Sequence, residues 1–246
     1  MIIENPVLQD VPALRALWKQ AFSDTDSFLD SFFSLAFSPE RAMVARQEGK
    51  IVGALYWFDC TWDAKALAYI YAVATDISCR GQGICTALME EVHNQMAQAG
   101  KGTVLVPAEK ELRAFYGKRG YRDFGGMDEV ACFAGEDGMP AEKLTAAAYA
   151  AKRRQLLPKG SVLQEGAFLP FLADNMDFYG GEDWLLAISD DFAPEFLGEK
   201  ALLPKILKGL QIPVARVRYA GNTPFAMYRG SKEDSSSPEY FAFALD

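Results

Sequence analysis

The stretch Arg80-Gly81-Gln82-Gly83 lies between a run of small β-forming residues ending at Thr75 and an apolar-periodic helix beginning near Ile84. Two chemistries suit glycines at such a junction. They either make a tight connection or let the backbone approach a ligand closely. The first turn of a helix leaves N–H groups without partners and carries partial positive charge, so it suits phosphate or pyrophosphate. Gly83 removes a side chain that would block close approach, and Arg80 adds a fixed positive charge. The stretch is not a phosphate loop ending in Gly-Lys-Ser/Thr, and it lacks the three glycines of a dinucleotide fingerprint.

Other chemistries find little support. Cys60, Cys79, Cys85 and Cys132 fall at no metal-ligand spacing, and His93 is the single histidine. No zinc site is expected, and a nucleophile–histidine pair has no motif near His93, which reads as a helix-surface residue. The formal net charge of −8 argues against a nucleic-acid partner. The N-terminus has no basic region followed by an apolar stretch, and no apolar run is long enough to span a bilayer. A cytoplasmic protein with free thiols and no membrane partner is expected.

The elements that must position the glycine stretch follow from hydrophobic period. A helix is predicted over Asp10–Phe22, with Asp10 as N-cap and Pro12 in the first turn, and a second over Ser27–Ala36. Strands are predicted at Arg41–Arg46, Ile51–Asp59 and Leu67–Thr75. A helix from Gln82 ends at Gly100, followed by a strand at Thr103–Val106, a helix at Glu109–Arg119, and strands at Tyr121–Phe124 and Glu129–Phe133. The segment GEDGMPAE from Gly135 interrupts the period and reads as a boundary. Beyond it are predicted helices at Lys143–Leu156 and Glu195–Leu210. Strands are predicted at Trp184–Ser189, Ile212–Tyr219, Phe225–Arg229 and Tyr240–Leu245. SKEDSSSPE reads as a surface loop. No residue-level repeat is evident.

The stretch VATDISCRGQGI resembles the pyrophosphate-binding motif of the GNAT superfamily of acyl-CoA N-acyltransferases, Arg/Gln-x-x-Gly-x-Gly/Ala. Arg80 and Gly83 match its first two fixed positions, and Cys85 stands where Gly or Ala is usual. LVPAEKELRAFYGKRGYRDFG resembles the strand, helix and Tyr-x-x-x-Gly-Tyr/Phe segment that follows in the family. The resemblance spans roughly residues 51–133.

It implies the GNAT fold, an α/β (α+β) architecture with a central, mixed but mostly antiparallel twisted sheet flanked by helices. It also implies an N-terminal domain over 1–135 holding one acetyl-CoA site and no metal. Residues 136–246 are then a C-terminal α+β domain, with a degenerate second GNAT-like unit as the further expectation. Val73, Ala74 and Thr75 should offer backbone to the pantetheine arm, in a strand that splays from its neighbour. Gly81, Gln82, Gly83, Ile84, Cys85 and Thr86 should cradle the pyrophosphate beside Arg80. Tyr116 should face the sulfur and protonate the leaving thiolate, its competing reading being a core aromatic.

The implied reaction is direct attack of a primary amine, from a small molecule or a peptide, on acetyl-CoA. A non-catalytic acyl-CoA-binding or regulatory module is the alternative. A tandem aminoacyl-transferring form would need a tRNA groove, which the acidic balance disfavours. No residue marks itself as the base: Glu109, Glu111, Asp59, Asp63 and Asp76 stay undecided, and a carboxylate at the C-terminal Asp246 is a further candidate. Self-association stays open. The C-terminal half is expected to cover one wall of the acceptor site.

Overall fold

In the order the chain makes it, the fold is a meander, a crossover helix and a returning strand, and the chain runs through that order twice. The computed structural model describes residues 1–230 and 236–241. The first pass is β1 (Ile2–Glu4), α1 (Val11–Ala21), α2 (Asp26–Ser31), β2 (Ala42–Gln47), β3 (Lys50–Trp62), β4 (Lys65–Thr75), α3 (Ile84–Gln98) and β5 (Gly102–Leu105). A short helix α4 (Leu112–Gly117) and a long strand β6 (Arg122–Phe133) follow. The second pass is β7 (Glu142–Lys143), α5 (Ala146–Leu156), β8 (Val162–Gln164), α6 (Phe168–Asn175), β9 (Asp177–Gly180), β10 (Leu185–Ser189), β11 (Phe192–Leu197), α7 (Leu203–Gly209) and β12 (Val214–Arg229).

The sheet follows the same element order. Its order is β1-β2-β3-β4-β5-β12-β11-β10-β9-β7, the two halves running outward from a central β5–β12 pair. Among the described residues, β4–β5 and β11–β12 are the parallel pairs, and each is joined by a helix, as a parallel connection requires. All other pairings are antiparallel. The mixed, mostly antiparallel sheet with flanking helices is the architecture expected from the sequence.

Strand β12 holds the halves together. It pairs β6 from Val214↔Phe133 to Tyr228↔Arg122, and on its other edge pairs β5 from Met227↔Leu105 to Arg229↔Thr103. Lower down, that same edge pairs β11 at Phe192↔Arg216 and Ala193↔Val217. β6 therefore lies beside β12 and not beside β5.

Residues Val52–Phe58 are all buried, because helices cover both faces of β3. Tyr56 and Phe58 face an aromatic layer with Trp18, Phe32 and Phe171, while Leu55 and Trp57 face α3 through Leu88 and Val92. A strand covered on both faces reads as a continuous apolar run rather than an alternation. A third cluster packs α7 on the second half through Ile206, Leu207, Leu186 and Val217.

Several elements differ from expectation. The predicted helix at Glu195–Leu210 opens inside strand β11, passes a 3-10 turn at Lys200–Leu202, and is α-helical only over Leu203–Gly209. Glu195 is fully buried and takes hydrogen bonds from Tyr149, from Arg153 Nε at 3.1 and 3.0 Å, and from Tyr240 Oη at 2.8 Å. The two pairs of short strands predicted near 121–133 and 212–229 are the single strands β6 and β12, with an irregular step between Ala220 and Pro224. Asp10 precedes α1 but does not cap it; its carboxylate takes the N–H of Val7 and the guanidinium of Arg46. The predicted last strand at Tyr240–Leu245 and the carboxylates of Asp246 lie outside the described residues beyond Phe241.

Candidate functional site

The site begins where β4 is irregular. Its pairing with β3 runs Ala54↔Ala74 and then Tyr56↔Tyr71, so Ala72 and Val73 together oppose Leu55, and Ala72 has φ 49°. Such a bulge re-aims the strand beyond it. The parallel pairing with β5 covers Leu67–Ile70 against Gly102–Leu105 and stops there. From Tyr71 onward β4 has parted from β5, leaving a gap in the sheet with backbone donors and acceptors on its edge.

Past Thr75 the chain turns. Asp76 Oδ1 accepts from the Ser78 N–H at 2.9 Å and holds a short 3-10 turn over Ile77–Cys79. Gly81 and Gly83 have φ 79° and 80°, a left-handed conformation that side chains other than glycine resist. Gly83 is the N-cap of α3 and offers no side chain to its first turn. The first i→i−4 bond of the helix is Ala87 N–H to Gly83 O at 2.9 Å. The N–H groups of Ile84, Cys85 and Thr86 thus have no partner within the helix, the state in which such a turn binds an anion.

Gly53 sets the position of this helix. A Cβ there would lie 2.7 Å from Ile84 Cγ2, so α3 rests directly on the β3 backbone.

These elements enclose a cavity of about 460 Å³. Of the residues proposed from the sequence, Val73, Ala74, Thr75, Arg80, Gly81, Gly83, Ile84, Cys85 and Thr86 line it. Gln82 is exposed and lies outside the lining. Phe115 and Arg119 of the α4 segment close the far side. Arg119, not proposed from the sequence, stacks on the Phe115 ring at 3.3 Å from its centroid. It donates from Nη1 to Phe115 O at 2.6 Å and from Nε to Thr86 Oγ1 at 3.1 Å. Two guanidinium groups and three N–H groups without helical partners are donors that an anion could use. Burial pushes the Cys85 thiol up, against the pull of Arg119, so Cys85 lines the cavity as a neutral group.

Tyr116 lies in a neighbouring cavity of about 140 Å³, lined also by Trp18, Phe22, Asp24, Tyr71 and Leu112. Phe22 and Val73 line both cavities, so the two adjoin across the β4 gap. Tyr116 is 8% exposed, and its ring packs edge-on against Phe115 and Tyr121. A third cavity, of about 150 Å³, shares Val106 and Ala108 with that of Tyr116 and is walled by Arg218, Pro224 and Phe225 of β12.

Of the carboxylates weighed as a base, none of those among the described residues lines the Tyr116 cavity. Glu109 lines the third cavity, and Glu111 precedes α4 on the surface. Asp59 pairs with Lys101 at 2.7 Å, Asp63 sits in the β3–β4 turn, and Asp76 holds the 3-10 turn. His93 is not a plain surface residue. It is half-buried, with Nδ1 3.3 Å from Thr103 Oγ1, and that hydroxyl also bonds Tyr121 Oη at 2.9 Å.

Residues 5–123 match the family described as the acetyltransferase (GNAT) domain. Among solved structures the chain resembles a GCN5-related N-acetyltransferase from Kribbella flavida at 15% identity and TM-score 0.68, over 92% of this chain and 70% of that one. A GCN5-related N-acetyltransferase from Anabaena variabilis is similar at 16% identity and TM-score 0.69, over 93% and 72%. A putative acetyltransferase from Pyrococcus horikoshii is similar at 12% identity and TM-score 0.66, over 98% and 93%. At these identities the likeness is one of fold, and it extends through the second half of the chain. No curated protein matches the sequence.

Proposed function

We propose, from the match of residues 5–123 to the acetyltransferase (GNAT) domain, that the protein moves an acetyl group from acetyl-CoA to a primary amine. The observation that carries this reading is the continuity of two cavities. One holds the free N–H groups of α3 between Arg80 and Arg119, and the other, sharing Phe22 and Val73 with it, holds Tyr116.

The residues fit acetyl-CoA. Gly81 and Gly83 leave open space where a Cβ would stand, so the N–H groups of Ile84, Cys85 and Thr86 can reach pyrophosphate oxygens while Arg80 and Arg119 offset the charge. The parted edge of β4 at Val73–Thr75 offers peptide groups to the amides of a pantetheine arm. When bound, acetyl-CoA supplies an activated acyl group. Tyr116 then holds a phenol proton for the sulfur as the thioester breaks. The Arg218, Pro224 and Phe225 side chains of β12 wall the next cavity, which supports a C-terminal contribution to the acceptor side.

We read the C-terminal half as a degenerate GNAT-like unit, supported by the duplicated element order and the two-sided sheet. Its crossover helix α7 has only 7 residues and opens on Leu203-Pro204, so it offers no matching cradle, and one coenzyme site is expected. No helix among the described residues is long and apolar enough to cross a membrane. A cytoplasmic setting, with acetyl-CoA and reduced thiols, suits the reading.

Calorimetry with acetyl-CoA, followed by thiol release across a panel of amines, tests it. Binding accompanied by amine-dependent thiol release is expected. Absence of both binding and a shift in melting temperature would overturn it.

A further inference from the structure

We infer that Asp24 is the carboxylate that receives the attacking amine, and that the acceptor is a cationic primary amine with no carboxylate beside its nitrogen. This rests on the acetyltransferase reading above and names the substrate class of the same site.

Asp24 is the one formally charged side chain among the described residues lining the Tyr116 cavity. The rest of the wall is aromatic or aliphatic, with Trp18, Phe22 and Tyr71 presenting rings. A single carboxylate among ring faces is chemistry that recognises an ammonium group and repels a carboxylate.

The carboxylate is held in place from behind. Trp18 Nε1 donates to Asp24 Oδ2 at 2.8 Å. Trp18 itself is 2% exposed and packed against Phe22, Phe32, Tyr56 and Tyr71. That bond occupies one oxygen and leaves Oδ1 for a ligand.

In the reaction the ammonium first binds and loses one proton to water. The nitrogen lone pair then forms the C–N bond as the C–S pair withdraws to sulfur. Asp24 takes the proton that nitrogen sheds, and sulfur takes one from Tyr116. Exchange with solvent restores both side chains, leaving an amide and a thiol.

Asp24→Asn isolates the charge, because the amide oxygen can still accept from Trp18. Acetyl-CoA affinity should stay within about twofold, while kcat/KM for the best alkylamine falls by roughly 10²-fold. Formate should restore turnover to Asp24→Gly. Wild-type kcat/KM in a folded Asp24→Asn overturns the inference while leaving the acetyltransferase reading intact. A wild-type protein that neither binds acetyl-CoA nor releases thiol defeats that reading instead. A second arm uses the wild-type protein alone, so it does not depend on any variant folding. An alkylamine should be preferred over an α-amino acid by at least about tenfold, and the opposite preference overturns the inference.

Discussion

Arg119 Nε donates to Thr86 Oγ1 at 3.1 Å, tying the segment after α4 to the first turn of α3. Both residues line the larger cavity, so one guanidinium both braces its wall and places charge beside the N–H groups of the first turn of α3. Arg119→Ala should lower acetyl-CoA affinity by roughly tenfold or more, and Arg119→Lys should recover only part of it, since lysine cannot stack on Phe115 while bonding two partners. Isothermal titration of the three proteins checks this.

Replacing Gly83 with valine separates strain from recognition. Nothing in the protein lies within 4 Å of a Cβ at this position, so the folded chain bears mainly the cost of φ 80°, about 1–2 kcal/mol. The melting temperature should fall by a few degrees, and acetyl-CoA binding should vanish because the new side chain occupies the approach to the cradle. A variant that binds normally would place the pyrophosphate elsewhere.

Tyr116→Phe keeps the ring that packs on Phe115 and Tyr121 and removes only the hydroxyl. The expected outcome is normal folding and coenzyme affinity, with turnover about 10²-fold slower. The loss should lie in kcat rather than in KM for acetyl-CoA. Steady-state kinetics with the preferred amine reads it directly, and unchanged turnover returns Tyr116 to a core aromatic.

The single histidine gives a pH signature. Burial holds His93 below the ordinary value of 6.5, the nearby Arg229 charge acts in the same direction, and Glu90 opposes them. The unfolded chain therefore binds more protons than the folded one below about pH 6.5. The stability involved is fully present above that pH and is lost as pH falls through and below it. His93→Gln should lose less melting temperature than wild type between about pH 7.5 and about pH 5.5. The imidazole resonance of the folded protein should titrate below 6.5.

The first half was largely legible because its helices are two-sided and its strands are bounded by turn residues. The junction at Gly83 announced itself, since glycine placement there is a backbone requirement. Helix α6, FLPFLADN, was missed because it is apolar around most of its circumference and carries a proline, leaving no period to read. Strand β12 read as two pieces because Gly221-Asn222-Thr223-Pro224 has the composition of a turn, although it forms an irregular step inside one strand. Glu195 suggested a helix start, whereas its charge is satisfied by Arg153 and Tyr240 from distant segments. Arg119 lay inside a motif already noticed, yet its reach across to Thr86 is a tertiary fact. Asp24 had no sequence signal, because what singles it out is the company of Tyr116.

The place of β12 has a consequence for biosynthesis. The strand that separates β5 from β6 begins at Val214, and the bond from Thr103 Oγ1 to Arg229 O joins residues 126 positions apart. While the ribosome is still making residues 134–213, the emerging first half exposes the edges of β5 and β6 with no strand between them. Closure of a sheet through so distant a partner is slow, and an open edge is a template for pairing with other chains. The cavity between β4 and α3 can be shaped early, but the sheet beneath it is completed among the last steps of synthesis. A chain stalled before β12 thus presents two open strand edges that the finished sheet covers.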